Sequence, residues 1–198
     1  MKKLFLLAIF TVFGLSITNA QSDSGDFTIA PQIGLNLSNY TSSENLSNKI
    51  RTAFNIGVVG EYYFSDRWSL RTGLFYDSKG SEIASNVIEK LNYLTIPIHA
   101  NWHFGSNRNW FLNFGPTAGI LLSAKGDYPD GEVDIKDAIE STLDLGLGLG
   151  IGYKFEISEG TELFIHYQGY NGFIDLVDAN ISLFNATSAF NVGVIFQP

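Results

Sequence analysis

The chain has 198 residues, no cysteine and a formal net charge of −8 at pH 7, with 45% hydrophobic and only 16% charged residues. The acidic balance argues against a nucleic-acid partner. The lack of cysteine leaves no thiol for disulfide staples or for a lipid anchor on an N-terminal cysteine.

The first residues set two lysines, Lys2 and Lys3, before an apolar run from Leu4 to Ile17 and a small-residue stretch ending at Ala20. This is the layout of a secretory signal peptide. The run is short of the about 20 residues that a membrane-spanning helix needs. The expected organisation is a signal peptide over 1–20 and one domain over 21–198, whose net charge without Lys2 and Lys3 is about −10. Beyond the leader no apolar run is long enough for a membrane helix, so any crossing must be made by strands.

Period-two alternation picks out eight segments, at about 27–38, 52–64, 68–79, 91–104, 110–123, 143–156, 160–170 and 187–197. Short connections at 65–67, 105–109 and 157–159 alternate with long ones at 39–51, 80–90, 124–142 and 171–186. That rhythm predicts an all-β fold, an eight-stranded antiparallel up-and-down transmembrane β-barrel. An even strand count puts both termini on the periplasmic side of a bacterial outer membrane, with the long loops outside.

Parity assigns two faces to each strand. Phe54, Ile56, Val58, Tyr62 and Phe64 oppose Asn55, Gly57, Glu61 and Tyr63, while Leu143 to Phe155 sets Leu, Ile, Tyr and Phe against Asp144, four glycines and Lys154. Aromatic residues decide which face is outside. Tyr62, Phe64, Trp68, Trp102, Phe104, Trp110, Tyr153, Phe155 and Phe196 all lie on apolar faces close to a short turn or to the C-terminal end. They are expected to form one girdle at a membrane interface. A soluble barrel of the lipocalin kind would turn this face inward and has no reason to gather its aromatic residues at one end.

The inner face carries the charges. A three-residue turn at 157–159 sets Lys154 opposite Glu162, Gly152 opposite Phe164, Gly150 opposite His166 and Gly148 opposite Gln168. The turn at 65–67 sets Glu61 opposite Arg71, Val59 opposite Gly73 and Gly57 opposite Phe75. Two lumen ion pairs are therefore expected, Glu61 with Arg71 and Lys154 with Glu162, because buried charges need partners. The glycines make room for bulk across the strand pair in a barrel only just wide enough to be filled by side chains.

The stretches GLNLSN (34–39), FNIGVVGEYYFSDRWSLRTGLFYDSKGSE (54–82), KLNYLTIPIHANWHF (90–104), FLNFGPTAGILLSAKGD (111–127) and DLGLGLGIGYKF (144–155) resemble the PorT-like, or porin family, outer-membrane β-barrels of Bacteroidetes. The resemblance implies an eight-stranded barrel inserted by the outer-membrane assembly machinery and brings no catalytic residues. One member of that family is associated with protein secretion and gliding. Such barrels usually end on an aromatic residue, a place for which Phe196 stands nearest.

Little points to chemistry. His99 and His103 are about 13 Å apart along one strand face, too far to share a zinc ion. With His166 they are read as hydrogen-bonded interior residues. GLGLGIG lacks the spacing and the following helix of a phosphate loop. The acidic stretch 125–140 offers Asp130, Glu132 and Asp134 as weak cation-loop candidates, against the blander reading of a solvated acidic loop. No cofactor is implied. The expected partners are membrane lipid and the assembly machinery, for a monomer acting through its outer loops in envelope structure or surface binding. A secretion accessory is the alternative, with a narrow pore and a soluble lipocalin-like binder behind it.

Overall fold

The computed structural model describes residues 24–42, 48–84, 87–177 and 181–197, and the predicted signal peptide lies outside them. Among these residues the chain forms strands β1 (Phe27–Ser42), β2 (Lys49–Tyr63), β3 (Trp68–Ala84), β4 (Val87–Phe104) and β5 (Trp110–Tyr128). The short β6 (Gly131–Asp134) and a 3-10 turn at Lys136–Ala138 follow, then β7 (Leu143–Ser158), β8 (Thr161–Gly172) and β9 (Leu183–Phe196). Neighbouring strands pair antiparallel in chain order, β5 pairs with β7, and β9 returns to β1. Eight strands thus close a barrel with no free edge, and β6 stands outside it, folded back on the far end of β5.

The apolar faces point outward. Phe54, Ile56 and Val58 are about half exposed, whereas Asn55, Glu61 and Tyr63 on the same strand are buried. On β7 exposed Leu145, Leu147, Leu149 and Ile151 alternate with buried Asp144 and buried glycines. From Leu145 to Phe155 a strand advances about 34 Å, which a tilt of about 40° projects to about 26 Å, the height of a bilayer's hydrocarbon band. So large an apolar surface is stable only in an apolar solvent.

At the short-turn end the predicted aromatic residues touch in sequence around the wall. Ring centroids lie 6.3 Å apart for Trp68 and Trp102, 4.9 Å for Trp102 and Phe104, and 6.1 Å for Phe104 and Trp110. The belt continues at 4.9 Å from Trp110 to Tyr153 and 4.7 Å from Tyr153 to Phe155. Tyr62 and Phe64 are exposed at the same end.

Two expectations about the strands are corrected. Apart from β7, which begins at Leu143 as expected, the strands extend past their predicted limits at the long-loop end, β1 to Ser42 and β3 to Ala84, and part of the predicted loop 124–142 is strand, namely the end of β5 and β6. The backbone keeps pairing above the lipid band, where alternation no longer marks a strand. The β7–β8 register also differs by two residues: Lys154 faces Phe164, Gly152 faces His166, Gly150 faces Gln168 and Gly148 faces Tyr170. The turn holds only Glu159 and Gly160, with Gly160 at φ +71° and a register shift between Glu156 and Ser158. Gly160 adopts a left-handed conformation that other residues resist, which permits the tighter turn. The β2–β3 hairpin has Glu61 opposite Arg71, Val59 opposite Gly73 and Gly57 opposite Phe75.

Candidate functional site

The lumen is filled in three layers. Nearest the short turns, Ala30, Val59, Phe75, Phe111, Phe164 and Ile195 form an apolar cluster. Beside it Glu61 is buried and fully engaged: Arg71 Nη1 donates to its Oε2 at 3.2 Å, Asn101 Nδ2 donates to its Oε1 at 2.7 Å, and the Ser69 hydroxyl donates to the same oxygen. The Arg71 guanidinium sits 5.4 Å from the ring centres of both Phe111 and Phe164. Lys154 Nζ lies 3.3 Å from Glu162 Oε2 although the two are not directly opposite, because the long lysine side chain reaches diagonally.

Ser69, His103 and Glu61 meet in this layer, a trio that reads like a hydrolytic triad. The geometry is different. His103 Nε2 alone faces Ser69 at 3.1 Å and Glu61 at 2.7 Å, while Nδ1 has no partner. A triad needs one ring nitrogen on the nucleophile and the other on the carboxylate. Ser69 is moreover completely buried. His99 lies between Asn113 Oδ1 at 3.0 Å and Thr117 Oγ1 at 2.9 Å, and His166 Nε2 lies 2.8 Å from Asn113 Nδ2.

The middle layer holds an ion cluster that the sequence pattern did not pair. Lys79 Nζ is 3.0 Å from Asp144 Oδ2 and 3.8 Å from Asp77 Oδ2. Tyr170 OH donates to Asp144 Oδ1 at 2.8 Å, Asn185 Nδ2 donates to Oδ2 at 3.0 Å, and the lysine ammonium lies 3.9 Å from the Tyr170 ring centre. A signal was available: Lys79 faces Leu91 and Asp144 faces Gly119 across their strand pairs, so neither inward charge has a partner directly opposite, and Asp77, two residues from Lys79 on the same face, leaves Asp144 still without a cation. Such charges must meet across the lumen.

At the long-loop end Tyr40, Leu91, Tyr93, Leu121, Ala124 and Leu176 close the mouth, with Ile135, Ile139, Val177 and Leu183 packed on them. Loop residues thus form a lid whose backbone is tied down, with Glu140 N bonded to Leu176 O at 2.9 Å. Burial at the rim pushes the Asp175 carboxyl up, but backbone N–H groups of Leu183 at 2.9 Å and Val177 at 3.3 Å outweigh it and hold it below its ordinary range.

The cation-loop candidates are not gathered around a common point. Glu132 lies 2.6 Å from Lys125 Nζ and 3.1 Å from Lys90 Nζ, and Asp134 Oδ1 accepts from Lys136 N at 2.9 Å. Asp130 is exposed in the β5–β6 turn. Among the described residues no three acidic or histidine side chains are placed to hold one metal ion. Hydrogen bonds from Lys125, then from Lys90, keep the Glu132 carboxyl below the ordinary carboxylate range.

Residues 19–178 match the family model described as outer membrane protein beta-barrel domain. No curated protein matches the chain. Among solved structures, Neisserial surface protein A superposes with a TM-score of 0.56 at 17% identity, covering 87% of this chain and 97% of the other. The outer membrane protein OprG from Pseudomonas aeruginosa superposes with a TM-score of 0.54 at 10% identity, covering 90% and 98%. At these identities the likeness establishes the barrel fold.

Proposed function

We propose that this chain, which belongs to the outer membrane protein beta-barrel domain family, is a non-conducting, non-enzymatic barrel of the outer membrane that works through its exposed loops in envelope structure or surface binding. The observation that carries the proposal is the filled lumen. Among the described residues an apolar cluster with the Glu61–Arg71 pair beside it fills the short-turn end, the Lys79–Asp144 pair lies farther in and a second apolar cluster lies at the long-loop end, an arrangement that argues against a continuous aqueous path for a solute. The accessible chemistry is then confined to the rim, where β6, the 3-10 turn and the segments at 139–142 and 173–177 stand clear of the apolar band.

On this reading residues 1–20 are the leader, the termini face the periplasm, and the protein is a monomer whose partners are lipid and the assembly machinery. The motifs at 54–82, 90–104 and 111–127 support a place among the PorT-like members of the family.

Two measurements test the proposal together. Purified protein in planar bilayers should give no discrete conductance steps. Cells making a variant with 129–141 shortened to a tight turn should keep the folded barrel and lose surface binding. Regular conductance steps from the wild-type protein would refute the sealed lumen, and unchanged binding by the shortened variant would refute the role of this rim.

A further inference from the structure

The barrel itself is closed, but the part of the sheet that rises past the lipid band is open. β6 pairs with β5 on one side, and among the described residues no strand pairs with its other side. All four of its residues are exposed. The phase of the ladder is fixed at its base, where Ile135 N donates to Ala124 O at 3.0 Å. Bonded positions alternate along an antiparallel pair, so Val133 bonds to β5 while the N–H and C=O groups of Glu132 and Asp134 point away from it. No other loop among the described residues takes up these outward groups. They form a short free edge that offers donors and acceptors at ladder spacing.

Charge decides what this edge accepts. Between residues 125 and 140 six carboxylates stand against two lysines, a net charge of −4. Lys90, which reaches in from β4 to Asp127 and Glu132, brings the cluster only to −3. Lys125 and Lys90 hold the Glu132 carboxylate, whereas that of Asp134 accepts from a backbone N–H, that of Lys136. A second copy of this strand would set acidic residue against acidic residue, which opposes pairing. A basic strand meets no such barrier. Glu132 faces Asp127 and Asp134 faces Lys125 across the β5–β6 pair, so both carboxylates share one face of the sheet, and Val133, 53% exposed, lies on the other.

We propose that the free edge of β6 takes up an extended segment of a partner protein as an added strand, one in which basic residues on the Glu132 and Asp134 face alternate with apolar residues on the Val133 face. The proposal rests on the surface-binding reading above and gives that rim a partner class. Main-chain bonds to Glu132 and Asp134 set the register, and the alternation of basic and apolar side chains supplies the selection.

The test titrates the full barrel in detergent into a fluorescent peptide of about ten residues that alternates lysine and valine, and reads anisotropy. Saturable binding is expected. The same peptide methylated at every backbone nitrogen keeps its charge but cannot donate to the ladder, and it should bind at least about tenfold more weakly, the loss of more than one hydrogen bond. On the protein, Asp134→Asn keeps the outward N–H and Asp134→Pro removes it at an edge position where proline is tolerated. The proline variant should bind the unmethylated peptide about fivefold more weakly than the asparagine variant. Equal binding of the two peptides by the wild-type barrel would overturn the proposal, because charge alone would then account for it. Equal binding by the two variants, or no saturable binding of the unmethylated peptide, would overturn it as well. The wider reading is decided separately, by whether shortening 129–141 abolishes surface binding, so either can fail without the other.

Discussion

A Cβ built on Gly152 would come within 2.2 Å of Phe111 Cζ, and one on Gly150 within 2.3 Å of His166 Nε2. These glycines are cavities made to measure for side chains on neighbouring strands. Gly152→Ala should destabilise the folded barrel by about 1 to 3 kcal/mol through overpacking, and Phe111→Leu in the same chain should recover most of the loss, as read by urea unfolding in detergent. Asp144→Asn should be costlier, about 3 to 5 kcal/mol, because it leaves the Lys79 ammonium with its nearest carboxylate gone. Lys79→Met combined with Asp144→Leu should be markedly milder than the sum of the two single changes. Equal and additive losses would mean that the pair is not coupled. The inward position of each of these residues follows from parity alone. Their partners follow only when the partner lies one strand away, as with Glu61 and Arg71, and not when it lies across the lumen, as with Lys79 and Asp144.

At the scale of elements, what alternation marks is the part of a strand in contact with lipid. The strands themselves run further, because backbone pairing needs only a neighbour and not an apolar face. This is why β5 continues to Tyr128 and turns into β6 in a stretch whose composition reads as an acidic loop. Turn geometry was legible for β2–β3 and not for β7–β8, where one glycine at φ +71° and one register shift move every pair by two residues without changing either face.

The β5–β6 hairpin also carries a pH dependence. The Glu132 carboxyl titrates below its usual range when folded, owing to Lys125 and then Lys90, so its stabilising effect is complete above the ordinary value of 4.5 and is lost as pH falls through the lowered folded value. Amide protection in 131–134, corrected for intrinsic exchange, should therefore be constant from neutral pH down to about 5 and should fall at lower pH. Glu132→Gln should remove that acid-side drop. A drop that persists in the variant would assign it to other groups.

The whole molecule inverts the ordinary arrangement of a soluble protein. Its exterior is a band of Leu, Ile, Val and Phe with an aromatic belt at one end, and its interior holds the ion pairs, amides and histidines. Both features follow from one alternating pattern read with the aromatic residues as the guide to facing. The layering of the lumen does not, because it depends on contacts between strands far apart in the chain. The inversion and the closed hydrogen-bond ladder together make the membrane a requirement of the fold.

The most direct test is gel migration of detergent-extracted outer-membrane fractions, with and without boiling. A closed barrel of this kind should be found in that fraction, run ahead of its unfolded form when unheated and shift to its full apparent mass after boiling. Recovery of the chain as soluble protein without detergent, with a single unshifted band, would contradict the outward-facing apolar surface and with it the sealed, lipid-embedded barrel.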